Sequence, residues 1–483
     1  MKKKVDITAL LLLIILSIIC FISVTSWSLW VDEAITAEMY SVDGFSELIS
    51  QFQTRLGSEV QMPGWIVFMW GWCKLFGNSE YALRASNWLF IGLFLLYGYR
   101  LIAYGKITIK ERIIIQIILC ISICNPFILY NMNEARCNIS IFSFSFITIL
   151  SLWYFLKTEN RKDWYICLIS FILGYFFNML VGFLIFSLLF IIWKKNEWRK
   201  ISKQGIKSFF IIIVLFIVLT LYYLITIFLA DKGGQIERPG IGNIGYSLYE
   251  FIGFGGLGPN KNMIRESDDK KVLLLQYIIY MFPLIICYSI IFVSVFRKKK
   301  KEWILNVFFI SFLLCFVIFY VVACVIQFRF WGRHLIFIYP LWLIFMGYTL
   351  YLFSLNRNML YKIVLVVYIF FIFSSSYRIL FNNNYKKENI KDIVQQCKKL
   401  RLPGEIIYWS EAEDTSLYYN LNDTLVKNGL PIISTDSGML VWFKRLKWLQ
   451  EDKYQDFIHL YLPVTIYENK DFVIYRFKGA GHK

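Results

Sequence analysis

Long apolar segments recur along the whole chain and limit its possible folds more than any other feature. Examples are residues 81–104, 139–156 and 208–230, each close to the ~20 residues that an α-helix needs to cross a bilayer. Hydrophobic residues occupy 58% of the 483 positions and charged residues 17%, against about 45–50% and about 25% in soluble domains. These values exclude a soluble enzyme, a disordered chain and a fibrous repeat, and predict an α-helical polytopic membrane protein.

Basic residues are concentrated in short loops between the apolar segments. The net charge of +18 would suggest a nucleic-acid partner in a soluble protein. Here the strongly basic loops 194–207 and 297–301 alternate with loops that contain few basic residues, as the positive-inside rule requires. The charge is therefore explained by membrane topology, and we expect no nucleic-acid partner.

The alternation predicts eleven spans, with the N-terminus in the cytoplasm and the C-terminus outside the cytoplasmic membrane. Residues 164–193 are divided into two spans that turn near Asn178, because one long helix would move the basic loop 297–301 to the outer face. The predicted spans are 7–27, 81–104, 113–130, 139–156, two within 164–193, 208–230, 272–296, 303–326, 334–355 and 363–381.

Two long outer loops separate the predicted spans. Loop 28–80 carries an acidic motif and a short apolar stretch, 63–76, which we expect to lie at the interface or to re-enter the membrane. Loop 231–271 is rich in glycine, which suits a loop that gates a site and equally an inert linker. Residues 240–245 match the letters G-x-G-x-x-G, but no strand precedes them, so no dinucleotide site is predicted.

The sequence divides into two predicted domains. Residues 1–381 form a transmembrane catalytic domain, and residues 382–483 form a small extracytoplasmic α/β domain. Periodicity in the second domain predicts an amphipathic helix and three short strands. These elements are expected at 387–400, 405–409, 431–434 and 472–477.

Two adjacent carboxylates, Asp32 and Glu33, follow the first predicted span on the outer side. Neighbouring positions on a helix point about 100° apart, because a turn has 3.6 residues, so both groups cannot aim at one atom. One could act as a catalytic base while the other caps a helix or accepts a hydrogen bond from an arginine. The alternative is that Asp32 is an ordinary helix N-cap.

Two further outer loops carry charged candidates for a site. Glu134 and Arg136 are either a loop ion pair worth at most ~1 kcal/mol or a second acidic group with a phosphate ligand. Arg329, Arg333 and His334 lie among aromatic residues, where the arginines would bind a lipid-linked phosphate bidentately or extend towards lipid headgroups. The topology places all these groups and Asp32 on one face, as transfer from a lipid phosphate requires.

The sequence predicts neither a cofactor nor a metal centre. The three histidines are scattered and no C-x-x-C occurs. Most of the ten cysteines lie in apolar segments, where cysteine acts as a small hydrophobic residue. We expect arginines, and not a divalent metal, to neutralise a phosphate leaving group.

The order of short motifs resembles the GT-C glycosyltransferases, in particular the glycosyltransferase family 39-like group. This group includes protein O-mannosyltransferases and the lipid A aminoarabinose transferase. The similarity covers the organisation of about residues 1–380. The matching motifs, in chain order, are Trp30…Asp32-Glu33-Ala34, Pro63-Gly64-Trp65, Leu75-Phe76-Gly77-Asn78-Ser79-Glu80…Arg84, Pro126…Glu134-Ala135-Arg136 and Arg333-His334-Leu335…Pro340.

The resemblance implies an inverting transfer of a sugar from a polyprenyl-phosphate donor to a lipid, glycan or protein acceptor of the cell envelope. It implies that Asp32 is the general base, that Glu33 supports it and that Arg333 binds the donor phosphate. Asn138 and His334 stand where the family often has tyrosine.

Two other classes of function compete with this prediction. A transporter or flippase for a lipid-linked glycan would show internal repeats and charges near the membrane midplane, whereas the candidate charges lie at the outer ends of spans. A scaffold whose outer lobe binds a wall polymer would leave Asp32 and Glu33 without a role. The glycosyltransferase interpretation accounts for more of the residues than either alternative.

Overall fold

The computed structural model describes most of the chain, and the statements below concern those residues. They are 7–54, 58–195, 198–229, 238–260, 263–264, 267, 269–297, 303–382, 385, 388–410, 413–421, 425–431 and 437–478. Most of the predicted strand 431–434, parts of the glycine-rich loop and most of the basic loop 297–301 lie outside these residues.

Helices dominate the chain up to residue 381. Their bounds are α1 Ile7–Ser23, α2 Val31–Tyr40, α3 Phe45–Thr54, α4 Pro63–Phe76, α5 Glu80–Tyr104, α6 Ile109–Ile123, α7 Pro126–Met132, α8 Asn138–Thr158, α9 Arg161–Phe177, α10 Leu184–Lys195, α11 Trp198–Leu229, α12 Ile241–Ile252, α13 Lys270–Arg297, α14 Trp303–Ile326, α15 Tyr339–Ser354 and α16 Met359–Phe381. Short 3₁₀ turns at Ser58–Gln61, Met179–Phe183, Phe254–Gly256 and Gly332–Leu335 join some of them.

The helices pack around one extended apolar core with α8 near its centre. Phe142 and Phe146 of α8 lie 5.3 and 4.5 Å, centroid to centroid, from Phe94 of α5, within the range of favourable aromatic pairs. Peripheral helices instead expose large apolar side chains, such as Ile279 and Val366. Such exposure suits contact with lipid and would be costly in water.

The structure confirms a polytopic helical membrane protein but does not confirm eleven spans. Among the described residues, five helices are individually long and apolar enough to cross a membrane, and the pair α6 and α7, bent by 56°, would make six. The count of eleven remains a prediction. The five segments are Glu80–Tyr104, Asn138–Thr158, Lys271–Ser294, Val307–Ile326 and Met359–Phe381.

Two local predictions agree with the observed helix boundaries. The apolar stretch 63–76 is the helix α4, with Pro63 in its first turn, where the missing N–H of proline costs no hydrogen bond. Fourteen residues extend only ~21 Å, less than the ~30 Å of a bilayer core. The chain also breaks at Asn178, whose side chain accepts a hydrogen bond from the N–H of Leu180 at 2.9 Å.

The C-terminal lobe combines helices and strands, as predicted, and its described strands form one mixed sheet of five strands. The described strands follow the order β2-β1-β3-β5-β4; β1 pairs in parallel with β2 and β3, and the remaining pairs are antiparallel. The elements are α17 Ile390–Leu400, β1 Ile407–Trp409, α18 Glu413–Tyr418, β2 Val426–Asn428, β3 Gly438–Phe443, α19 Lys447–Tyr461, β4 Val464–Glu468 and β5 Phe472–Phe477.

Helix α2 lies between the two apolar cores of the protein. Val31 is buried in the core of the C-terminal lobe, and Ile35 packs against the same core. Ala34 and Ala37 belong to the core of the helical bundle. Asp32 is therefore carried by a short helix that both parts of the molecule hold in place.

Candidate active site

The first turn of α2 determines where the two adjacent carboxylates point. The N-cap of this helix is Trp30, in an extended conformation, so the alternative that Asp32 is the N-cap is wrong. The Glu33 side chain accepts a hydrogen bond from the Trp30 N–H at 3.1 Å and thereby satisfies a donor that the helix leaves free. Both acids lie in the first turn, where the helix dipole stabilises negative charge.

Glu33 is fully buried and ion-paired with Arg84 of α5. The Arg84 Nη2 and Nε atoms lie 3.0 and 3.3 Å from the two oxygens of the Glu33 carboxylate. The backbone N–H of Ala135 donates to the same carboxylate at 2.5 Å. Arg84 also donates to the carbonyl oxygens of Trp27 and Ser28. This group of contacts, called here the brace, joins α2, α5 and the segment before α8.

Glu134 is also buried and does not line the cavity described below. Its carboxylate accepts a hydrogen bond from Asn138 at 2.5 Å, and its carbonyl oxygen accepts one from Asn87 at 2.9 Å. The structure pairs Arg136 with Glu59 at 3.7 Å. Glu33 and Glu134, both predicted as catalytic, therefore have no place on the cavity surface, because each is occupied by polar partners in the protein interior.

A small cavity brings together the other five predicted site residues, which come from three distant parts of the sequence. Its volume is about 80 Å³, below the ~300 Å³ of typical ligand pockets, so a sugar phosphate can enter only if lining side chains move. The lining residues are Asp32, Gln61, Met62, Arg136, Cys137, Asn138, Ile141, Asn178, Leu180, Phe328, Arg329, Arg333 and His334.

Asp32 is surrounded by positive charge in this cavity. The Arg333 Nη2 atom lies 3.0 Å from the Asp32 Oδ2 atom, and Arg136 donates to the Asp32 carbonyl oxygen at 2.8 Å. Burial by itself would raise the pKa of Asp32, but the charges of Arg333, Arg136 and Arg329 outweigh it and hold this pKa well below its usual range. Asp32 is thus ionised at neutral pH.

The segment 327–334, which carries Arg329 and Arg333, packs against α12. The Gly332 N–H donates to Glu250 at 3.1 Å, and a Cβ at Gly332 would press against the same carboxylate, so a larger residue here would displace the Glu250 side chain. Trp331 packs edge-on against Tyr246 of α12 at 5.6 Å. The described part of the predicted glycine-rich loop is thus largely helical and supports the cavity wall, in place of the inert linker that was one alternative.

Sequence reasoning missed several cavity residues that carry amides. Gln61 ends the 3₁₀ turn before α4, Asn178 breaks the chain between α9 and α10, and Asn138 begins α8. Amide groups both donate and accept hydrogen bonds, as sugar hydroxyls do. The available signal was the position of Asn178 inside an apolar segment, because polar residues there often mark a functional site.

The chain is similar to one protein family in sequence and to solved structures in fold. The sequence profile of the dolichyl-phosphate-mannose-protein mannosyltransferase family matches residues 61–223. The crystal structure of ArnT from Cupriavidus metallidurans in the apo state is similar in fold, with a TM-score of 0.54 and 11% identity over 96% of this chain and 97% of that chain. ArnT bound to undecaprenyl phosphate matches over the same shares with 12% identity and a TM-score of 0.49. No curated protein sequence matches the chain.

Proposed function

We propose that this chain is a membrane glycosyltransferase of the GT-C superfamily and transfers a sugar from a polyprenyl-phosphate donor to an acceptor of the cell envelope. The family profile that matches residues 61–223 describes enzymes that use dolichyl-phosphate mannose, which supports a donor of this class. The ArnT-like fold extends over 96% of the chain.

One observation carries the proposal: a carboxylate and three arginines from distant segments line one cavity. Asp32 supplies a base, and Arg136, Arg329 and Arg333 supply fixed positive charge beside it. Sugar transfer from a lipid phosphate needs both functions, because a hydroxyl proton is lost while negative charge grows on the departing phosphate. Arginine holds that charge well, since its planar fork matches two phosphate oxygens.

Donor binding would activate Asp32 as a base by breaking its ion pair with Arg333. In the structure, Arg333 contacts Asp32 at 3.0 Å and holds its pKa low, which makes it a weak base. An incoming phosphodiester anion would compete for the arginines and move Arg333 away from Asp32. The pKa of Asp32 would then rise towards the value that a general base needs, and the small cavity would open.

The proposed reaction is a single displacement on the outer face of the membrane. Asp32 accepts the proton of the acceptor hydroxyl while that oxygen forms a bond with the anomeric carbon of the sugar. The bond between this carbon and the phosphate oxygen breaks, and its electron pair leaves with the polyprenyl phosphate, which the arginines stabilise. Attack from the side opposite the leaving group inverts the anomeric centre.

Six of the seven predicted site residues have a role in this proposal. Arg136, Arg329, Arg333 and His334 line the cavity, so they are proposed to surround the donor headgroup. Glu33 acts as a positioning residue, since the brace fixes the helix that carries Asp32. Glu134 is not proposed to touch the substrate, because its carboxylate is buried against Asn138.

The test compares Asp32→Asn with Asp43→Asn, a matched change at an exposed acid of the same segment. Purified proteins in lipid are given a panel of polyprenyl-phosphate sugars with a crude envelope fraction, and release of free polyprenyl phosphate is measured. We expect release by the wild type and Asp43→Asn, and a loss of about 10²–10⁴-fold in Asp32→Asn with an unchanged elution profile.

Two results would contradict the proposal. Full activity of a well-folded Asp32→Asn protein would remove Asp32 from the mechanism. No release by the wild type with any donor would favour the flippase alternative, and lipid translocation would then be measured in vesicles with the same proteins.

A further inference from the structure

A second cleft lies in the seam between the C-terminal lobe and the helical bundle, separate from the cavity that holds Asp32. Its volume is about 420 Å³, within the ~300–1,000 Å³ of typical ligand pockets. We call it the seam cleft. It is lined by Asn78, Ser79, Glu80, Lys391, Val394, Gln395, Lys398, Tyr418, Tyr419 and Asn420.

One face of α17 forms a wall of the seam cleft. Lys391, Val394, Gln395 and Lys398 follow the i, i+3, i+4, i+7 spacing that aligns side chains on one side of a helix. The opposite face, with residues such as Ile393, is buried in the core of the lobe. Val394 belongs to the same core, whereas the exposed side chains of Lys391, Gln395 and Lys398 are presented to the cleft.

Hydrogen bonds and an ion pair across the seam fix the two walls of the cleft relative to each other. Tyr418 donates to the carbonyl oxygen of Asn78 at 2.5 Å, and the hydroxyl of Tyr419 accepts from the Leu29 N–H at 2.7 Å. Lys391 pairs with Glu80 at 3.4 Å. These contacts join the lobe to the start of α5 and to the segment before α2, so the two walls keep a defined spacing.

The lining chemistry indicates the kind of ligand that would fit. Three amides, from Asn78, Gln395 and Asn420, can each donate and accept hydrogen bonds, as a molecule rich in hydroxyl groups requires. Lys398 adds an exposed ammonium group to the same wall, which favours a negatively charged substituent. A typical drug-like pocket is lined mainly by apolar side chains, whereas nine of the ten residues that line this cleft have a polar group in the side chain.

The seam cleft is close to the proposed catalytic base. Tyr419 of the cleft wall contacts Ser28 at 3.0 Å, and Ser28 precedes Asp32 by four residues, so their Cα atoms are at most ~14 Å apart. Val31, between them, is buried in the core of the lobe. A chain of a few sugar residues bound in the cleft could therefore extend to Asp32.

We propose that the seam cleft binds the non-reacting part of the acceptor, a glycan that carries a phosphate or carboxylate group. This inference rests on the proposed function, because only that function makes the ligand an acceptor. The chemistry of the ligand is argued from the cleft alone. It gives the C-terminal lobe a role in acceptor binding and places donor and acceptor at two separate sites that meet at α2.

The matched variants Lys398→Glu and Lys399→Glu test the proposal. Both lysines are exposed on α17, but only Lys398 lines the cleft. Transfer is measured with increasing amounts of an envelope glycan fraction from the native host. In Lys398→Glu we expect the half-saturating amount of acceptor to rise roughly tenfold, because a charged hydrogen bond is lost. The maximal rate and the donor KM should stay unchanged, and Lys399→Glu should match the wild type.

A change in donor KM instead, or equal behaviour of the two variants, would overturn the proposal. A second readout does not depend on transfer: a benzophenone amino acid replaces either Gln395, inside the cleft, or Lys399, outside it. After irradiation with the same envelope fraction, a glycan adduct only at position 395 supports the cleft, and adducts at neither position contradict it. If the wild type transfers no sugar, the proposed function fails and the adduct still decides on the cleft.

Discussion

Two ion pairs at the start of α2 involve neighbouring carboxylates but differ in nearly every physical respect. The brace pairs Glu33 with Arg84, and their side chains are 0% and 1% exposed. The cavity pairs Asp32 with Arg333, and their side chains are 23% and 19% exposed. The hydrogen-bonding capacity of Glu33 is used by the protein, whereas Asp32 and Arg333 face a space that a ligand can enter. Residue type alone thus does not separate a structural acid from a candidate base; its surroundings do.

Glu33→Gln should produce the largest loss of stability. Removing one partner of a buried ion pair typically costs about 3–5 kcal/mol, because Arg84 would remain charged in the protein interior. Arg333→Gln, at the cavity pair, should cost less, because Arg136 and Arg329 remain beside Asp32 and both side chains of the pair are partly exposed. Thermal unfolding of both variants in the same detergent measures the difference, and equal losses would show that the brace is no more structural than the cavity pair.

Arg333→Gln should weaken the use of the donor, and Arg333→Lys should do so less. We expect kcat/KM for the polyprenyl-phosphate sugar to fall about 10²-fold in Arg333→Gln, since one charge-assisted contact to phosphate is lost. Lysine keeps the charge but lacks the bidentate fork, so about tenfold is expected. Arg161→Gln, at an exposed arginine of α9, is the control and should leave kcat/KM unchanged. A fall only in stability would contradict the assignment.

The pH dependence of transfer should report on the protonation of Asp32. A base is active when deprotonated, so activity falls as the pH drops through its pKa. Because the arginines hold the pKa of Asp32 well below its usual range, kcat/KM should stay flat down to about pH 5. Arg333→Gln removes one of the positive charges that lower the pKa of Asp32 against the effect of burial. The pKa of Asp32 should therefore rise, and the acid limb of the profile should move to higher pH.

The same profiles should be recorded in the His334→Gln background, because His334 lines the same cavity and histidine is an ionisable side chain. An acid limb that Arg333→Gln leaves in place would show that Asp32 is not the group that titrates. A limb that disappears in His334→Gln would assign the profile to the histidine.

Metal removal should have the smallest effect. The proposal assigns neutralisation of the leaving phosphate to Arg136, Arg329 and Arg333, so EDTA should leave the rate of polyprenyl phosphate release unchanged. The control is the same measurement with added Mg²⁺ or Mn²⁺. If EDTA lowers the rate of release and a divalent cation restores it, a metal ion and not the arginines alone neutralises the leaving phosphate.

Local features of the structure could be predicted because short-range chemistry decides them. Helix α4 covers the predicted stretch 63–76, and β5 covers the predicted strand 472–477. The break at Asn178 also lies where a polar residue interrupts an apolar segment. Each depends on residues close in sequence: a proline in a first turn, an alternating strand, and an amide that caps a turn.

The directions of individual side chains could not be predicted. Arg84, the partner of Glu33, lies 51 positions away, and no local pattern connects them. The sequence equally allowed Glu134 to face a site, but helix packing turns it towards Asn138. The pairing of α2 with the lobe through Val31 depends on a sheet that forms more than 370 residues later.

By itself, the sequence determined a helical membrane protein with a small α/β lobe, because hydrophobic periodicity acts over tens of residues. It also predicted, from the charges of the loops, that the candidate charges lie on one face of the membrane. Only the tertiary structure decided which carboxylate faces the cavity, which arginines surround it and where the lobe meets the bundle. Those choices depend on burial and on the pairing of polar groups distant in sequence. The chain placed Asp32 and Glu33 side by side; the packing of α2 between two cores separated their roles.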